Sequence, residues 1–166
     1  MNKRAEVISY LNDLNIPFEL HEHPPVPTVE EALPYWKDID AAHCKNLFFR
    51  NHKGNRHFLV ILDHRRQLNI RDLEQKLKQG KISFASPKRM ERYLGLGAGS
   101  VSAFGIINDH ENHVHLFLDE ALRSAAHISF HPNENNATLV ISFASFLRFL
   151  ESSGNSYEFI ALYEDE

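Results

Sequence analysis

The sequence predicts an α/β (α+β) protein built on a mixed, partly closed, barrel-like β-sheet with helices packed outside. Three observations carry this. Strand-like and helix-like segments are interleaved without strict βαβ alternation. The 166 residues suit one compact unit, 1–166, in which two independent cores would be crowded. No internal repeat or low-complexity linker divides the chain.

The elements follow in order. Val7, Leu11 and Leu14 recur at helical spacing within Asn2–Leu14, and Pro17 closes that helix. Phe18–His23 alternates as a half-buried strand before Pro24, Pro25 and Pro27 extend the chain. Thr28 and Glu31 form a capping box opening a short helix, Val29–Leu33, which Pro34 is expected to end. Leu47–Arg50 and His57–Asp63 are strands joined by a hairpin loop containing Gly54. Ile70–Leu77 is a helix stopped by Gly80, and Ser86-Pro87 caps another running to Leu94. Gly95, Gly97 and Gly99 open a loop leading through Ser100–Ser102 to the apolar run Phe104–Ile107. Val114–Leu118, Ile128–Phe130 and Thr138–Ile141 are further strands. Ser142 caps a last helix that Gly154 stops.

Composition narrows the functional classes. The single cysteine, Cys44, excludes an intramolecular disulfide and a multi-cysteine zinc site, and a cytoplasmic setting is expected. No apolar run approaches the roughly 20 residues of a membrane helix, so no membrane partner is expected. Glu6, Asn12 and Asp13 interrupt what would be a signal peptide after Lys3 and Arg4. Net charge is −4, yet Lys45–Arg92 holds thirteen Lys and Arg against four acids. That segment is either a phosphate-docking face or a set of solvated helix faces.

Eleven histidines raise the question of a metal. The closest cluster, His110, His113 and His115, has no acidic or cysteine partner at ligand spacing, and no metal site is expected. Neighbouring His43 and Cys44 point to opposite faces of an extended chain, which disfavours a nucleophile–base pair. Gly95-x-Gly97-x-Gly99 follows a helix and lacks the dinucleotide fingerprint. Lys45, at the start of an apolar strand, is either an edge charge or a cation aimed into a cleft. Phe130–Thr138 reads as strand, turn and strand.

An ordered string of motifs is more specific than any of these. It comprises Glu22-His23-Pro24-Pro25, Thr28-Val29-Glu30-Glu31-Ala32, Lys45-Asn46-Leu47-Phe48, Ser83-Phe84-Ala85-Ser86-Pro87, Gly99-Ser100-Val101-Ser102, Asn108-Asp109, Leu118-Asp119-Glu120-Ala121-Leu122 and Phe130-His131-Pro132 with Asn135, Ala137 and Thr138. From about His21 to Leu150 the chain resembles the stand-alone prolyl-tRNA editing proteins. These are relatives of the editing domain inserted in bacterial prolyl-tRNA synthetases and of the YbaK-type deacylases, and the likeness is greatest to the ProX- or PrdX-type branch that hydrolyses alanyl-tRNA(Pro).

The resemblance implies a YbaK-like fold and a hydrolase acting without cofactor on mischarged tRNA(Pro), with prolyl-tRNA synthetase as a candidate second partner. It implies that Lys45 holds the terminal adenosine and the aminoacyl ester, with Asn46 its companion. Gly99 and Ser100, with Val101 and Ser102, match the loop whose amides face the ester carbonyl, and His131 matches a pocket wall. Val29, Leu33 and Phe130 are candidate walls of a tight amino-acid pocket, joined by Asn135 and Thr138. Arg50, Lys53, Arg56, Lys88 and Arg89 are candidate contacts to the tRNA acceptor end. Ala103 stands where relatives usually carry a loop-stiffening Pro, and Asn133 and Glu134 replace residues that are commonly apolar. Three other readings stay open: the same fold acting on cysteinyl-tRNA or a nonprotein amino acid, a noncatalytic tRNA- or synthetase-binding module, and an amino-acid sensor.

Overall fold

The structure is a computed structural model that describes residues 2–163. The helices are α1 (Lys3–Asp13), α2 (Val29–Trp36), α3 (Ile70–Leu77), α4 (Pro87–Leu94) and α5 (Phe143–Ser153). The strands are β1 (Glu19–Glu22), β2 (Ala42–Asn51), β3 (His57–Asp63), β4 (Ile82–Phe84), β5 (Val114–Asp119), β6 (His127–Phe130), β7 (Ala137–Ser142) and β8 (Tyr157–Ile160). Short 3-10 turns cover Ala98–Ser100, Ala103–Asn108 and Glu120–Ser124.

All eight strands join one mixed sheet in the order β1-β7-β6-β2-β3-β5-β8, with β4 a branch on β2. The long β2 is its spine. Its start, Ala42–His43, pairs parallel with β6, while Cys44–Arg50 pairs antiparallel with β3 and Phe49–Asn51 with β4.

β3 shows why the sequence reads as a continuous apolar run. Leu59 and Ile61 enter the larger core, which also takes Phe48, Leu116, Leu118, Ile128, Phe130, Leu139 and Ile141 from four other strands. The sheet therefore curls around one interior, plugged by Phe104 and α5 and covered by Val7 and Leu11 of α1. Phe58, Val60 and Leu62 alternate to the other face, where Leu73 and Leu77 of α3 bury them in a second core. Each buried Phe of this kind stabilises the fold by roughly 1.5–3 kcal/mol relative to an exposed one.

The caps read from sequence are used. Thr28, Ser86 and Ser142 accept the amides of Glu31, Arg89 and Ser145, and Gly95 and Gly154 end α4 and α5 at positive φ. Four expectations change. Pro34 lies inside α2 instead of ending it. In so short a helix its missing N–H forfeits a single bond, and the buried Trp36 anchors the final turn. α3 ends on Lys78, itself in the left-handed region at φ 57°, two residues before Gly80. The apolar run after Ser102 is a 3-10 turn, and β2 begins at Ala42, earlier than its apolar run. β4 and β8 are strands that pattern did not reveal.

Candidate active site

β2 sends successive side chains to opposite faces, so the adjacent Lys45 and Asn46 serve different surroundings. The Lys45 ammonium donates to the Arg66 carbonyl at 2.7 Å. It lines a cavity of about 460 Å³ whose other walls include Val29, Leu33, His64, Arg65 and Gln67. Three bonds from Arg65 to Asp63 fix that wall; burial would raise the Asp63 carboxyl, but these bonds outweigh it and hold it below its usual range. Asn46, on the other face, accepts the Ala103 amide on its side-chain oxygen at 3.0 Å.

The glycine loop faces a different cavity of about 550 Å³, lined by Gly97, Ser100, Pro25, Asn133, Asn135 and their neighbours. Gly99 lies close against the chain there: a Cβ would meet the Pro27 Cβ at 3.1 Å, so Pro27 would have to give way. Asn135 donates to the Gly99 carbonyl at 3.2 Å and steadies the turn. The Ser100 amide is committed to the Gly97 carbonyl at 3.0 Å and is therefore not free to face an ester carbonyl, contrary to the expectation for this residue. The segment Pro25–Leu33 borders both cavities.

Between them lies an aromatic cluster anchored by Trp36. Its indole N–H donates to the Thr138 hydroxyl at 3.0 Å. His23 Nδ1 donates to the Pro24 carbonyl, which leaves Nε2 to accept the Thr138 hydroxyl proton at 2.9 Å. The Trp36 ring stacks on His43 at 4.7 Å between centroids and meets His64 at 5.2 Å and His131 at 6.4 Å. His131 Nδ1 donates to the Ala137 carbonyl at 2.8 Å. Burial lowers the pKa of His43, His64 and His131 and favours neutral rings.

The structure thus gathers Lys45, Val29 and Leu33 at one cavity, Ser100 and Asn135 at the other with Gly99 packed against Pro27 and Asn135, and Thr138 with His131 around Trp36. Phe130 is only 3% exposed, packed against Phe104 and Phe146 in the main core, and lines neither cavity. Ser102 is buried, its hydroxyl accepting the Phe104 amide, and Val101 packs partly buried against the main core. Trp36, His43 and His64 escaped the sequence reading as site residues. The lone tryptophan in a capped amphipathic helix was the available signal.

The basic candidates sit apart, at the β2–β3 hairpin and α4. Lys53, Arg56 and Lys88 are exposed. Arg50 donates to the carbonyls of Asn51 and His52, and Arg89 donates to the Gly54 carbonyl and to His57 Nε2. His57 Nδ1 then donates to His113 Nε2 at 2.9 Å, and burial first, with the His113 charge second, lowers the His57 pKa to about 4. His115 instead bonds Ser156 and Glu158. Among the described residues no three His, Cys, Asp or Glu side chains converge as metal ligands, and no helix is long and apolar enough to cross a membrane.

Comparison with known proteins shows the family and the fold. The aminoacyl-tRNA editing domain profile matches residues 23–149. The prolyl-tRNA editing protein ProX of Acetoanaerobium sticklandii is 36% identical over 166 residues, covering 98% of this chain and 99% of that protein. The mouse prolyl-tRNA synthetase associated domain-containing protein 1 is 35% identical over 156 residues, 92% of each chain. The crystal structure of a proposed trans-editing enzyme for prolyl tRNA synthetase has the same fold, with a TM-score of 0.70 at 18% identity over 97% of this chain and 98% of the other.

Proposed function

We propose, from the premise that this chain belongs to the aminoacyl-tRNA editing domain family, that it hydrolyses the aminoacyl ester of mischarged alanyl-tRNA(Pro) in trans. The carrying observation is the end-to-end likeness to a prolyl-tRNA editing protein, together with the Lys45 ammonium lining one cavity beside apolar Val29 and Leu33 and polar Glu30, His64, Arg65 and Gln67. The activity itself, deacylation of a mischarged tRNA(Pro), is the broader statement, and alanine is the narrower one.

The reaction asks little of side chains. The ester is already activated, so the protein has to orient the 3′ end and stabilise the negative oxygen that forms when water attacks the carbonyl. Lys45 supplies a compact positive charge at the cavity wall. The glycine loop lines the other cavity, so its backbone donors would serve the same ester through a substrate laid across Pro25–Leu33, the segment that borders both. Val29 and Leu33 would admit a methyl group and crowd a pyrrolidine ring. Such a second sieve is needed because a missing methylene is worth only roughly 1–3 kcal/mol in a synthetase pocket. His131, Thr138 and Asn135 hold the walls, and Lys53, Arg56 and Lys88 meet acceptor-stem phosphates. In this reading the whole chain is one editing domain, working in the cytoplasm with prolyl-tRNA synthetase as a partner.

A panel of tRNA(Pro) charged with alanine, cysteine or proline tests it. Alanine release that is fast relative to the other two supports the reading. Preference for cysteine moves the chain to another specificity of the same fold, and binding without release of any amino acid overturns the hydrolase.

A further inference from the structure

Phe84 is the most exposed large apolar side chain among the described residues, at 55%. It sits on β4, three residues long, directly opposite Phe49 in the antiparallel register. The two rings stack at 4.6 Å between centroids with 26° between planes. Phe49 is 1% exposed, so one buried ring supports the underside of the other and holds its plane. The ring that is left open is rigid and flat.

The sequence around it is predominantly basic, with the exposed Glu91 the next acid after Met90. From Gln75 to Met90 the sequence has Lys76, Lys78, Lys81, Lys88 and Arg89 and no acid. The four lysines are exposed and bracket β4 from the end of α3, the following turn and the start of α4. The nearest acid before this stretch, Glu74, has a carboxylate oxygen accepting the Ile82 amide. A π-face framed by flexible cations is the composition of a platform on which a nucleobase stacks while its flanking phosphates are neutralised.

The platform is in line with the candidate site. Lys45, Leu47 and Phe49 alternate onto one face of β2 through an unbroken register with β3, and Phe84 shares that face. Four residues of strand rise put Phe84 roughly 13 Å along β2 from Lys45. Three nucleotides at the stacked spacing of about 3.4 Å cover roughly 10 Å, and an unstacked end reaches further. We infer that Phe84 stacks a base of the single-stranded 3′ end of tRNA, two or three nucleotides before the one esterified at Lys45, with Lys81 and Lys88 on the adjoining phosphates. This rests on the reading of the chain as an aminoacyl-tRNA deacylase and adds to it the surface that measures the distance from acceptor stem to ester.

The test separates stacking from catalysis. Binding of an uncharged oligoribonucleotide carrying the acceptor 3′ end is followed by fluorescence anisotropy with wild type, Phe84→Ala and Phe84→Trp. Phe84→Ala should weaken binding roughly tenfold, within the range for one lost base stack, and Phe84→Trp should restore it. In parallel, KM for alanyl-tRNA should rise with Phe84→Ala while kcat stays within about twofold, and hydrolysis of 3′-alanyl-adenosine, which lacks the upstream bases, should be unchanged. Unchanged oligonucleotide affinity overturns the platform, as does an equal loss on alanyl-adenosine. A Phe84-dependent affinity in a protein that releases no amino acid would overturn the deacylase reading and leave the platform standing.

Discussion

The side-chain oxygen of Asn46 accepts the backbone amide of Ala103 at 3.0 Å, so the spine of the sheet holds the end of the glycine loop directly. Ala103 is fully buried, and its N–H is the donor a proline would delete. The end of the loop, where the resemblance leads one to expect a proline, thus has its own means of fixation.

Ala103→Pro should therefore cost stability in this chain although Ser102, at φ −152° and ψ 151°, has a backbone compatible with a following proline. The expected loss is about 1 kcal/mol, from an orphaned Asn46 oxygen. Urea denaturation of the single variants and of Ala103→Pro in an Asn46→Ala background checks it. The cost should shrink in the double variant, and equal costs in both backgrounds would refute the coupling.

Thr138 is the acceptor that completes Trp36. Thr138→Val keeps the shape and removes the hydroxyl, leaving the buried indole N–H without a partner, and should destabilise the protein by about 1–3 kcal/mol. Thr138→Ser should stay near wild type. Because α2 also carries Val29 and Leu33, alanine-over-proline discrimination should fall with Thr138→Val even below its melting temperature.

Acid should weaken the fold over a defined range. His43, His57, His64, His115 and His131 all have pKa values lowered chiefly by burial, His57 to about 4. Above the ordinary histidine value of about 6.5 both folded and unfolded chains are neutral at these sites, and their stabilisation is fully present. As pH falls below it the unfolded chain takes up protons the folded one refuses, so stability drops until each folded pKa is passed. Denaturation midpoints should decline from pH 7 towards pH 4, and the decline should be shallower in His57→Gln. NMR titration should find the His57 ring still neutral at pH 5.

Lys45→Met should abolish most alanine release, by about 10²–10³ if the charge acts on the developing oxyanion, while leaving the unfolding midpoint nearly unchanged. Among the described residues the ammonium donates to the Arg66 carbonyl. Lys45→Arg should not restore the rate, because a planar fork does not reproduce a point charge in that space.

Sequence legibility followed range along the chain. Helix starts were readable because Thr28, Ser86 and Ser142 act on amides three residues away. Lys45, Gly99 and His131 were named through ordered motifs. β4 and β8 were invisible although β1 and β6 are no longer than β8: they lie outside the apolar runs and ordered motifs, and each is a strand through pairing with β2 or β5. The Trp36 cluster was hidden for the same physical reason. Its partner Thr138 lies 102 residues away, and the one local sign, a lone tryptophan after a capped helix start, does not say what it packs against.

Alternation along β2 turns spelling into an all-or-none condition. Lys45 and Asn46 stand back to back, one charged towards α2 and one amidic towards the glycine loop. Dropping or adding a single residue within Leu47–Arg50, between them and the hairpin that sets the register with β3, would exchange them, burying an ammonium where Ala103 needs an acceptor and leaving a neutral amide at the cavity that Lys45 lines. Length changes within Leu47–Arg50 should accordingly yield dead protein instead of sluggish protein, whereas the same changes in the Asn51–Arg56 hairpin tip would shift neither residue.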